Sequence, residues 1–77
     1  MPDQVLDARG LSCPLPVLRA RKAMGKLAPG AVLEVLATDP GAVRDFDAFC
    51  EATGNHLVER REQDGDRIFL IRKAVRP

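Results

Sequence analysis

Cys13 is followed at once by a proline, and the run Cys13-Pro14-Leu15-Pro16 leads into a segment with helical periodicity. Proline has a fixed φ and no N–H, so it fits the first turn of a helix, where backbone amides lack intrahelical acceptors. The residue before a proline is pushed out of the α region, which suits Cys13 to a capping position. A sulfur there would face the positive end of the helix dipole, which favours thiolate over thiol. Pro14 and Pro16 both lack an N–H, so Leu15 and Val17 carry the first-turn amides left for the sulfur. The spacing predicts sulfur chemistry at Cys13, with titration modestly below the ordinary cysteine value and with Arg9 and Arg19 adding to the shift. The opposing reading is a small buried hydrophobe beside a proline-started helix, since free cysteines are among the most buried residue types.

The other reactive residues offer less. Cys50 falls on the apolar stripe of a second helix and reads as a core thiol. His56 sits at the start of a strand, and nothing in the sequence ties it to Cys13 as the positioned base that peptidase-type catalysis needs. Two cysteines and one histidine make neither a disulfide framework nor a four-ligand zinc site, so no metal is expected. Asp39 reads as a helix cap rather than an acid. Pro14 and Pro16 fix the start of the first helix and hold the sulfur in place, and Gly10 serves the preceding turn.

Size and charge narrow the function classes. A chain of 77 residues is expected to form one domain over 1–77, with roughly 60% of its unfolded surface buried and no room for a deep substrate pocket plus a cofactor. Twelve Lys+Arg against 11 Asp+Glu give a net charge of +1, and three Phe are the only aromatic residues. Neither a basic surface nor a stacking platform is supplied, so strong direct nucleic-acid binding is not expected. No basic-then-apolar leader opens the sequence and no apolar run reaches membrane-spanning length. A monomer without membrane contact, in the reducing cytoplasm, is the expectation.

The elements that must position Cys13 follow from periodicity. Val5–Ala8 reads as a short strand and Arg9-Gly10-Leu11-Ser12 as a loop. From Pro14 to Lys26 the pattern is helical, with Val17, Ala20, Met24 and Leu27 on one face and Pro29-Gly30 beyond its end. Ala31–Ala37 alternates as a strand. Asp39 and Pro40 suit the N-cap and first position of a second helix, which runs to about Thr53 and stops at Gly54-Asn55. Val43, Phe46, Phe49, Cys50 and Thr53 share its apolar face. Leu57–Glu62 and Arg67–Arg72 flank Asp64-Gly65, a hairpin signal. The order βαβαββ predicts an α/β (α+β) two-layer sandwich, with two helices on one face of a four-stranded mixed sheet. Periodicity leaves strand order open. The other sheet face would show Glu34, Arg60 or Arg61, and apolar hairpin residues that a partner could cover.

These residues resemble the TusA/SirA-like sulfur-carrier family. The match lies in Leu6-Asp7 followed by Gly10, then Cys13-Pro14-Leu15-Pro16, Asp39-Pro40, Phe49-Cys50 and Ile71-Arg72-Lys73, and it covers nearly the whole chain. The resemblance implies a carrier of the sulfurtransferase type, without independent small-molecule turnover or cofactor. Cys13, its candidate catalytic residue, would accept a persulfide sulfur from a cysteine desulfurase or related donor. It would then pass that sulfur to a downstream acceptor protein, for tRNA thiolation, molybdenum cofactor work or other sulfur metabolism. The family fold is the same two-layer βαβαββ sandwich. Several members of the tRNA branch carry an acidic residue where Leu15 stands here, so the resemblance leaves the partner open.

A carrier also needs a docking surface around its sulfur. Leu15 and Leu18 project away from the Val17/Ala20/Met24 stripe, and Arg19 and Lys22 flank them, so these four are the candidate partner-binding residues. The competing function is a non-catalytic regulatory or RNA-binding α/β module in which Cys13 is only a helix cap.

Overall fold

The computed structural model describes residues 2–75; residues 1, 76 and 77, the ends of the 1–77 span, lie outside the described residues. Six elements follow one another: β1 (Gln4–Asp7), α1 (Leu15–Gly25), β2 (Val32–Ala37), α2 (Ala42–Thr53), β3 (His56–Gln63) and β4 (Asp66–Arg72). The βαβαββ order is as expected. The sheet order, which the sequence left open, is β1-β2-β4-β3. β1 pairs with β2 in parallel, and the other two pairings are antiparallel. A parallel neighbour requires a crossover, and α1 supplies it, whereas β3 and β4 need only a tight turn. That turn is Asp64-Gly65, with φ of 52° and 85°, the left-handed pair that suits a two-residue hairpin.

Alternation decides which face each strand buries. Leu33, Val35 and Ala37 of β2 are fully buried, and their register partners on β4 include Ile71 and Phe69, also fully buried. Against this face α1 packs Pro16, Ala20, Ala23 and Met24, and α2 packs Ala42, Phe46, Phe49 and Cys50. Phe46 lies over Phe69 with ring centroids 4.7 Å apart, and Phe49 meets Phe46 edge-on at 6.3 Å. Burying a side chain of this size contributes on the order of 2 kcal/mol. The helical stripes are rotated slightly from those expected. Val17, Leu27 and Val43 are half-buried flanks of the core, while Thr53 is exposed and turns its hydroxyl back to the Phe49 carbonyl at 2.8 Å. Ala23 and Ala42 are buried where Val17 and Val43 are only half-buried.

The start of α2 also differs. Its N-cap is Gly41, with no side-chain cap, so Pro40 precedes the helix instead of opening it. Asp39 acts one step earlier: its Oδ2 accepts from the Gly41 N–H at 3.1 Å, and its carbonyl accepts from the Ala42 N–H at 3.0 Å. At the other end Gly54, with φ of 81°, closes the helix by donating to the Cys50 carbonyl, as the sequence indicated. Away from the helices the sheet presents Val5, Glu34, Leu36, Leu70 and Arg61. The register puts Arg61 opposite Ile68 on this face and Arg60 opposite Phe69, towards α2, where it pairs with Asp47 at 2.9 Å.

Cys50 is buried beside Phe49 in the α2 stripe, and burial, then the charge of Asp47, push its thiol above the ordinary value. It therefore behaves as a small core side chain. Cys50→Ala is expected to cost about 1 kcal/mol, and in a chain of this size that lowers the melting temperature by about 4–8 °C. Thermal unfolding followed by far-UV circular dichroism checks this; an unchanged melt would show that the sulfur does not contribute to packing.

Candidate functional site

Two adjacent parallel strands end at the same edge of a sheet, so the loops that leave them are neighbours. Here the loop after β1 carries Cys13, and the loop after β2 carries Thr38, Asp39, Pro40 and Gly41. They are tied together twice. Ala8 donates its N–H to the Leu36 carbonyl at 2.8 Å, and Gly10 donates its N–H to the Thr38 hydroxyl at 2.9 Å. Gly10 adopts φ of 81°, a left-handed conformation that a side chain would strain. The loop is clamped from below by Arg9, which pairs with Asp7 at 2.9 Å and reaches Asp66 at the start of β4 at 3.3 Å. The Arg9 guanidinium holds the Asp7 carboxyl down at about 2. This pairing supports the loop above the ordinary carboxylate value of 3.8 and is lost as pH falls towards 2.

Cys13 is exposed at this edge. It stands one residue before the N-cap of α1, which is Pro14, and no side chain caps the helix. The Cys13–Pro14 peptide is cis. Of the two amides that the sequence offered to the sulfur, Leu15 donates instead to the Ser12 carbonyl at 2.9 Å. Pro14 is exposed and gives its carbonyl to the Leu18 N–H at 3.1 Å, whereas Pro16 is fully buried and anchors the first turn to the core. The two prolines thus differ: one shapes the rim and the other is core.

The other wall of the site belongs to α2. Gly41 lies so near Cys13 that a Cβ placed on it would sit 3.8 Å from the Cys13 Cβ. Cys13, Pro40, Gly41, Val43, Arg44, Asp45 and Asp47 line an open depression of about 750 Å³. This wall corrects the sequence expectation for the thiol. The neighbouring Asp45 carboxylate pushes the Cys13 thiol up; burial adds to this, followed by the charge of Asp39. Arg9 is committed to Asp7 and Asp66, and neither it nor Arg19 lowers the thiol.

The outward face of α1 carries the remaining candidates. Leu15 and Leu18 are 42% and 52% exposed, and at 100° per residue Lys22 shares their side while Arg19 lies on the flank facing away from α2. Arg21 turns the other way, into a groove between the helices that it lines with Pro14, Val17, Asp45, Ala48 and Phe49. His56 begins β3 opposite Arg72, at the end of the sheet remote from the Cys13 loop. Among the described residues no three His, Cys, Asp or Glu side chains are arranged to hold a metal ion, and no helix is long and apolar enough to cross a membrane. The residue that sequence reasoning missed is Asp45. The available signal was the parallel β1–β2 pairing, which brings the starts of both helices to one edge.

The sign of the thiol's displacement sets its reactivity with pH. A thiol held above its ordinary value is mostly protonated at neutral pH, so Cys13 should alkylate more slowly at pH 7 than free cysteine. Its rate should rise through a midpoint above that of the free amino acid. Iodoacetamide rates against pH, read by intact mass with Cys50 protected by burial, test this; a midpoint below that of free cysteine would contradict the acidic wall.

Comparison with known proteins agrees with this geometry. The family model described as Sulfurtransferase TusA matches residues 4–73. The chain is 57% identical to the sulfur carrier protein TusA of Allochromatium vinosum over 94% of its own length and 95% of that protein's. It is 46% identical to the sulfur carrier protein TusA of Pseudomonas aeruginosa, over 95% and 92% of the two chains. The crystal structure of a SirA-like protein from Desulfitobacterium hafniense superposes with a TM-score of 0.82 at 31% identity, covering 94% of this chain and 99% of that one. The chain belongs to the TusA sulfurtransferase family.

Proposed function

We propose that this protein is a persulfide carrier whose cargo rides on Cys13. The observation that carries the reading is an exposed thiol on a clamped loop–helix junction, in a chain whose relatives are named sulfur carriers. In the loading step the Cys13 sulfur attacks the terminal sulfur of a donor persulfide. The donor's S–S bond breaks, its cysteine leaves as a thiolate, and Cys13 becomes a persulfide. In the unloading step an acceptor thiolate attacks the terminal sulfur on Cys13, and the Cys13 thiolate leaves. Neither step has a net oxidant or reductant. The donor class we propose is a cysteine desulfurase in the cytoplasm, and the acceptor a protein thiol that feeds tRNA thiolation, molybdenum cofactor formation or related sulfur metabolism. Gly10 and Pro14 shape the loop that presents the sulfur, and Pro16 fixes the helix behind it.

Incubation with a cysteine desulfurase and cysteine should add one sulfur atom to the intact mass, removable by reductant. Cys13→Ser should accept none, while melting as the parent does, because an exposed side chain contributes little packing. Sulfur on the Ser variant would place the cargo elsewhere. A parent that stays unloaded with any persulfide donor would leave the regulatory or RNA-binding reading.

Docking should use the outward side of α1. Leu15 and Leu18 supply modest apolar area beside the sulfur, and Arg19 and Lys22 supply charge. Reversing Arg19 and Lys22 to Glu should slow loading about tenfold at low ionic strength, mainly through the association rate, with a smaller difference at high salt. Radiolabel transfer at two salt concentrations measures this. Unchanged rates in the folded double variant would move docking to another face.

A further inference from the structure

The depression beside Cys13 does not end at the sulfur. Val43, half-buried on α2, lines it and also lines a second depression of about 450 Å³, bordered by Arg60, Arg61, Glu62 and Arg67 of the β3–β4 hairpin. Register puts Glu62 opposite Arg67 and Arg60 opposite Phe69, so Arg60, Glu62 and Arg67 share the helix-facing side, and Arg61 borders them from the edge strand β3. Each arginine is paired: Arg60 with Asp47 at 2.9 Å, Arg61 with Glu59 and Arg67 with Glu62. Three cations matched by three carboxylates set up no strong net field. What they leave is hydrogen-bonding capacity. All three pairs run through Nη1, and the Nε and Nη2 of each guanidinium donate to no group among the described residues. Nε–H and one Nη2–H point the same way and form the edge that fits both oxygens of a carboxylate. The Nε of Arg67 is buried with no acceptor, a condition that folded proteins rarely leave unrelieved. The Arg67 side chain is still 25% exposed, and those of Arg60 and Arg61 are each 45% exposed, so their ends are open to a docking group.

We propose that this arginine-lined depression docks an acidic segment of the protein that exchanges sulfur with Cys13, its Asp or Glu carboxylates taking the free guanidinium edges. The inference rests on the reading of Cys13 as the cargo cysteine. A carboxylate suits the site better than a nucleic acid does. The matched cations offer little to a polyphosphate, and all three Phe are buried, so no ring is free for a base to stack on. Place matters as well. Nearer the sulfur the lining is mixed, Arg44 with Asp45 and Asp47, so the acidic segment is held beyond Val43 and not at the thiol. Leu15 and Leu18 lie on the outward side of α1, so a partner that touches both surfaces brackets the sulfur and has one orientation over it.

The test titrates the ¹⁵N-labelled full chain with a capped hexaglutamate peptide at low ionic strength. Saturable shifts should concentrate on the Nε–H signals of Arg60, Arg61 and Arg67 and on the Val43 amide. Arg61→Gln combined with Arg67→Gln should weaken binding about tenfold, as loss of charge-assisted hydrogen bonds implies. Arg61→Lys combined with Arg67→Lys keeps the charge, removes the fork and should weaken binding nearly as much. Lys26→Gln combined with Arg72→Gln removes the same charge at the far end of the molecule, where screening should hold the change within about twofold. A lysine variant that binds as the parent does, or equal losses in the arginine and far-end variants, would overturn the proposal. Melting curves identify any variant that has unfolded, and the parental shift map needs no variant: shifts confined to α1 or spread over the whole surface also overturn it. A uridine dodecamer that displaces the peptide and moves the same guanidinium signals at lower concentration would make the occupant a nucleic acid, again against the proposal. Peptide binding needs no cargo. A parent that binds the peptide but never loads refutes the carrier reading alone, and a parent that loads without saturable peptide binding refutes this docking site alone.

Discussion

The parallel pairing of β1 with β2 is the constraint on which the site depends. A parallel neighbour cannot be reached by a hairpin, so the chain must cross back through α1, and both strands then end at the same edge. The two loops that leave that edge have no choice but to meet. One delivers Cys13 and the other delivers Asp39, Gly41 and, one turn into α2, Asp45. Gly41 stands directly beside Cys13: a Cβ on it would meet the Cys13 Cβ at 3.8 Å, an ordinary contact distance. The remaining structure supports this edge: Pro16 nails the first turn of α1 into the core, and Arg9 braces the loop against β1 and β4.

Surroundings of this kind trade one aspect of sulfur reactivity against another. A thiolate stabilised by a helix dipole is abundant and leaves readily, but it is intrinsically a weaker nucleophile. The carboxylate wall at Cys13 does the reverse, giving less thiolate at neutral pH but a more nucleophilic one when formed. An enzyme with many turnovers on small substrates benefits from the first arrangement. Cys13 has the second arrangement.

Much of the fold was legible because each element carried its own local signal. Alternation in β2, the apolar stripe of α2, Gly54 as its stop and Asp64-Gly65 as the hairpin turn all act over a few residues, and the structure agrees with each. The readings that shifted depended on tertiary approach. Ala23 and Ala42 are buried where Val17 and Val43 are only half-buried, so each helix sits slightly rotated from the face its periodicity indicated. Asp39 lost its place as N-cap because Pro40 and Gly41 turn the chain once more before the helix begins. The position of Cys13 was legible, but its electrostatics were not. The sequence showed a helix start next to the sulfur and could not show that Ser12 takes the Leu15 amide, nor that a carboxylate from a residue far along the chain faces the thiol.

The two helices flanking the sulfur present different chemistry, and this separates recognition from reactivity. On α1 the outward residues are apolar and cationic, with Leu15, Leu18 and Lys22 on a common side. None of them carries a charge that the Cys13 thiol registers, so variation there can change which protein docks without changing how basic the sulfur is. On the α2 side the depression beside the sulfur is lined by Asp45 and Asp47 together with Arg44, and Asp39 just before the helix is held by the Gly41 amide. Variation on that side would retune the thiol while leaving the α1 surface intact. A carrier that meets a donor and an acceptor in turn needs such independence. Its docking face has to suit two different proteins, whereas its sulfur has to keep one set of chemical properties throughout.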